Sequence, residues 1–141
     1  MKSHSEINDT EFEQLFKNAS IEPGLFTHEA HLRLAWIHLR KYGFHKAIAN
    51  ITAQLKEYVF YLGATDKYNE TVTIAAIKAV YHFMLKSGAE TFQDFISSHP
   101  RLKADFKTLI RQHYTTNVFQ SEEAKKRFME PDLLTFDVGE I

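Results

Sequence analysis

From Ala47 onward, the apolar residues Ala47, Ile48, Ile51, Leu55, Tyr58, Val59 and Leu62 recur at steps of three and four and stop at Gly63. That rhythm gathers them on one face of a helix, whereas a half-buried strand would alternate every second residue. It is repeated along the chain. Phe12, Leu15 and Phe16 follow an Asp9/Thr10 cap and give a short first helix ended by Ile21-Glu22-Pro23-Gly24. Thr27 can cap a helix over about 28–42, with Leu32, Ala35, Trp36 and Leu39 on one face and Gly43 at its end. Asn69 or Thr71 can cap another, with Ile74, Ile77, Val80, Tyr81 and Met84 inward, ending near Ser87-Gly88. Shorter helices are expected from Thr91 to Ser98 and from Ser121 to Met129, with a longer one from Leu102 to Tyr114. No stretch has a strand pattern. The fold class predicted is all-α, a single-domain helical bundle over residues 1–141 with four main helices and short accessory ones. Residues 1–8 are expected to be flexible and 132–141 to form an irregular tail.

A chain of 141 residues with 44% hydrophobic content can bury a core without disulfides or a structural metal. The absence of Cys removes disulfide frameworks, Cys-ligated zinc, iron–sulfur clusters and thiol nucleophiles. Seventeen basic residues against eighteen acidic ones, a formal charge of −1, argue against a nucleic-acid-binding face. The first residues lack the apolar core of a secretory leader, and no run approaches the ~18 apolar residues of a membrane span, so a cytoplasmic protein is expected.

Eight histidines are many for this length, and two of them direct attention to Phe26-Thr27-His28-Glu29-Ala30-His31-Leu32. His28 and His31 are three apart, so on a helix they project from neighbouring points of one face. With short connections the long helices alternate in direction, which would bring Tyr68 and Glu70, at the start of the Asn69/Thr71-capped helix, to the end that holds His28 and His31. His113 and Tyr114 would arrive there too. Two imidazoles and a carboxylate suit a divalent transition metal, zinc as Lewis acid or non-haem iron at a facial triad. His28, His31 and Glu70 are the candidate metal ligands. His113 is a fourth ligand or an acid/base group, and Tyr68 and Tyr114 are hydroxyl contacts to a small-molecule substrate. The bland readings stand beside these. A pair of His at this spacing is unliganded about as often as not, and Glu70 can simply complement a helix dipole. His38 lies ~10 Å beyond His31 at the usual rise per residue, too far to share an ion. His4, His45 and His99 read as solvent or cap residues. The alternative functions are a metal-free pocket in which His28 and His31 bind an anionic small molecule, and a non-catalytic interaction domain, a homodimer being one form of it.

Three segments together carry a family resemblance: Phe26-x-His28-x-x-His31-Leu32, then Tyr68-Asn69-Glu70-Thr71-Val72-Thr73, then His113-Tyr114 followed by Ser121-x-Glu123-Ala124 through Arg127-Phe128-Met129-Glu130-Pro131-Asp132-Leu133. In these, nearly the whole chain resembles an uncharacterised family of bacterial all-helical proteins. The resemblance implies one all-α domain and names no reaction. Where the family pattern has Tyr-His-Glu-Thr, this chain has Asn69, so any ligand supplied there is lost, whereas a helix cap would be kept.

Overall fold

The computed structural model describes residues 3–136. The ends of the expected terminal segments, residues 1–2 and 137–141, lie outside the described residues. The protein is an all-α helical bundle, and among the described residues there is no strand. The chain divides after Tyr68 into two compact units.

In the first unit, α1 (Asp9–Lys17) is capped by Asn8, whose side chain accepts from the Glu11 amide. α2 (His28–Tyr42) begins at Thr27, whose hydroxyl accepts from the Ala30 amide, as the Thr-x-x pattern predicts. Gly43 alone joins it to α3 (Phe44–Tyr61), and its φ of 88° is a conformation that costs a side-chain-bearing residue energy. So tight a joint returns α3 along α2. Phe12, Phe16, Leu32, Leu34, Ala47, Leu55 and Tyr58 are buried at this unit's centre.

A polar clasp ties residues 4–9 to α2. The Arg33 guanidinium donates to the carbonyls of His4 and Ile7, each at 2.7 Å, and to Asp9 Oδ1 from both Nη2 and Nε, at 2.7 and 3.1 Å. Its remaining N–H lies 3.3 Å from His4 Nδ1. All five donors of the fork are thereby used. Nε2 of His4 completes the clasp by donating to Glu29 at 2.9 Å. His4 is therefore a buried structural residue and not the solvent or cap residue its position in the sequence suggests.

In the second unit, α4 (Glu70–Met84) packs against α7 (Phe106–Arg111) and α8 (Glu122–Lys126), while α5 (Phe92–Ser98) and α6 (Arg101–Ala104) connect them. Two helices end sooner than periodicity predicts. The Leu102–Tyr114 stretch breaks at Asp105, whose φ of −135° and ψ of 30° leave the helical region. Aspartate is a poor interior helix residue because its side chain bonds locally, and here it takes the Arg101 guanidinium at 3.2 Å. The last helix stops at Lys126, with Arg127 extended. The buried Thr71 hydroxyl donates to the Arg127 carbonyl at 2.8 Å, which Pro131 could not serve in a continued helix, and accepts from the Met129 amide at 3.0 Å, which such a helix would have used.

Candidate functional site

Thr27 begins the helix that displays His28 and His31. Its carbonyl oxygen lies 2.9 Å from His31 Nδ1, and a carbonyl can only accept, so Nδ1 carries the proton. Nε2 is left with its lone pair. Phe26 lies flat on the same ring, centroids 3.8 Å apart and planes 26° from parallel, so the imidazole is held by a bond on one edge and a stack on one face. Phe26 in turn rests against Phe16 and Tyr58, which join this clamp to the core.

His31 is solvent-exposed yet surrounded densely enough that desolvation holds its pKa below the ordinary imidazole value. The Thr27 bond works in the opposite direction, and neighbouring His28 adds to the lowering. A neutral imidazole with Nδ1 on a carbonyl and Nε2 free is the form that accepts a proton, a hydrogen bond or a metal ion. It is the wrong form to donate to an anion. His28, the first residue of α2, is exposed. Tyr68 is half-buried, with the Lys56 ammonium 5.4 Å from its ring centroid.

The other predicted residues belong to the second unit. Glu70 is the first residue of α4 and is half-buried, in the turn where a carboxylate complements the helix dipole. Asn69 caps that helix: Oδ1 accepts from the Val72 amide at 2.9 Å while Nδ2 donates to the Val118 carbonyl at 2.8 Å. Asn69 is thus a helix cap that also fixes a loop.

His113 and Tyr114 hold the segment after α8. His113 Nδ1 donates to the Leu134 carbonyl at 2.6 Å, and its ring stacks on Phe136 at 4.0 Å. The Tyr114 hydroxyl donates to the Met129 carbonyl at 2.8 Å. Burial first, then the negative charges of Glu130 and Asp132, push its pKa well above the usual phenol range. A catalytic role would compete with those bonds. Asp132 receives the amide and hydroxyl of Thr115 and is held below the usual carboxylate range by them. Pro131 in this ending predicts a helix stop and a tail folded back on the bundle, but the partners His113, Tyr114 and Thr115 carry no signal in the sequence.

Among the described residues, no group of three or more His, Asp or Glu side chains is arranged to hold a metal ion. Of the expected ligands, His28 and His31 belong to the first unit and Glu70 to the second. Comparison with family models, with curated proteins and with solved structures finds no match.

Proposed function

We propose that the start of α2 is a small-molecule site worked by the neutral imidazole of His31, acting through Nε2 as hydrogen-bond acceptor and general base. The carrying observation is the bond from His31 Nδ1 to the Thr27 carbonyl, which fixes the tautomer and turns the lone pair to Nε2. Phe26 keeps the ring from swinging, as a group that must meet a substrate in one orientation requires. Exposed His28 beside it is a second contact to the substrate. This reading treats the chain as a small-molecule enzyme related, through the segments around His28, Glu70 and His113, to the bacterial all-helical family it resembles.

Metal binding is the second reading, favoured by the same lone pair, because a ligating imidazole commonly has its other nitrogen on a carbonyl. In this reading His28, His31 and Glu70 would be the ligands, with zinc or iron as the fitting metals.

Long-range proton–nitrogen spectra of the histidine rings over a pH series test the first reading. His31 is expected as the Nδ1–H tautomer, titrating below ~6.5, the ordinary imidazole value. An Nε2–H tautomer, or titration above that value, would sink the proposal. Zinc retained stoichiometrically by the wild-type protein and lost in His31→Ala would select the metal reading.

A further inference from the structure

Polar groups of three helices in the first unit meet at the ring of His38, which is 1% exposed. From α1 it faces the Glu13 carboxylate, from its own helix Lys41 and Tyr42, and from α3 the Asn50 carboxamide. Glu13 ties the α2 groups together. It accepts from Lys41 Nζ at 2.9 Å and from the hydroxyl of Tyr42, whose ring centroid lies 5.2 Å from that of the imidazole.

Asn50 fixes the resting tautomer of this ring. Its Nδ2, which can only donate, is 3.5 Å from His38 Nδ1, so Nδ1 holds the lone pair and Nε2 the proton. Burial disfavours the charged ring more than Glu13 restores it, with Lys41 adding to the lowering, so the ring is neutral at neutral pH. A second proton can enter only at Nδ1, where it would point at the N–H donors of the amide. Two donors facing each other in a buried contact leave both without an acceptor. The terminal torsion of asparagine is broad and two-fold, so a half-turn presents Oδ1 in place of Nδ2 within the same space.

We infer that His38 and Asn50 form an acid-operated switch between α2 and α3, in which proton uptake at Nδ1 turns the amide so that its oxygen replaces its nitrogen at the ring. With the ring neutral α3 donates to α2, and with the ring charged α2 donates to α3. Glu13 favours the charged state and Lys41, whose side chain is 54% exposed, opposes it. A half-exposed ion pair thus sets the acidity at which a buried contact reverses.

Nuclear magnetic resonance of the isotope-labelled full chain between about pH 7 and 5 tests the switch. At the neutral end His38 is expected as the Nε2–H tautomer, with an Overhauser contact from the Asn50 amide protons to its Hε1, the ring proton next to Nδ1. That contact should fade with the midpoint at which the ring titrates, below ~6.5. Asn50→Asp puts an ionised acceptor opposite Nδ1, so His38 should bind its proton about tenfold more tightly or better. A neutral Nδ1–H tautomer, an Overhauser contact that persists through the titration, or a His38 ring that stays neutral until the protein unfolds in acid would overturn the inference. So would a folded Asn50→Asp whose His38 titrates no higher than the wild type. If that variant does not fold, the wild-type spectra decide alone.

Discussion

Replacing Arg33 by Met tests whether the polar clasp, rather than apolar packing alone, fixes residues 4–9 to α2. The methionine keeps the length of the stem that lies by Phe12, over whose ring the guanidinium carbon sits at 4.7 Å. It removes all five hydrogen bonds at once. The two bonds to Asp9 are the lesser loss, because that side chain is 54% exposed and water replaces the partner; such pairs contribute about 0–1 kcal/mol. The carbonyls of His4 and Ile7 weigh more, since bonds from a charged donor contribute ~1.5–3 kcal/mol each and do not add fully. The expected cost is about 2–4 kcal/mol, a shift of roughly 1–2 M in the urea midpoint for a protein of this size. Asp9→Asn should cost under about 1 kcal/mol. Arg33→Lys should resemble Arg33→Met, because one ammonium cannot occupy five positions of a planar fork. Urea unfolding of the three variants supplies the comparison. An Arg33→Met unfolding free energy within about 0.5 kcal/mol of wild type, or an Asp9→Asn cost equal to that of Arg33→Met, would show that the clasp contributes little.

Thr71→Val keeps the shape but leaves the Arg127 carbonyl and Met129 amide without their shared partner, so it should cost about 1–3 kcal/mol and speed hydrogen exchange at the Met129 amide. Asn69→His should lower stability by about 1–2 kcal/mol through loss of the cap and of the Val118 bond; an unchanged melting temperature would refute the capping role. The pKa values of His31, His38 and His99 are lowered, each chiefly by burial, so the folded protein binds fewer protons than the unfolded chain just below the ordinary imidazole value. Their contribution is complete above ~6.5 and is lost as pH falls through that value towards the lowered ones, so urea midpoints should decline from pH 7 to 5. His38→Gln should flatten that decline, and a midpoint independent of pH over this range would contradict the three directions.

Much of the helical architecture is legible in the sequence because its signals are local. Thr27 and Asn69 cap the helices that their positions predict, and the α2 boundary at Tyr42 follows from Gly43. Where a distant group competes for the backbone, local signals mislead: Thr71, 58 residues away, takes the Met129 amide that a longer α8 would have bonded. Of the candidate site, the sequence points to His28 and His31 through their spacing, but spacing is silent about protonation. Only the fold places Thr27's carbonyl against Nδ1 and so assigns the lone pair to Nε2.

Helix class, the main caps and the shared face of His28 and His31 were determined by the sequence itself, since each depends on residues within about a turn of one another. The tertiary structure decided that His4 is buried, that His113 and Tyr114 bind the segment after α8, and that the Thr27 carbonyl takes the Nδ1 proton of His31. The first two outcomes depend on which groups meet across tens of residues, and periodicity along one helix carries no information about the partner that will desolvate or bond a side chain from another.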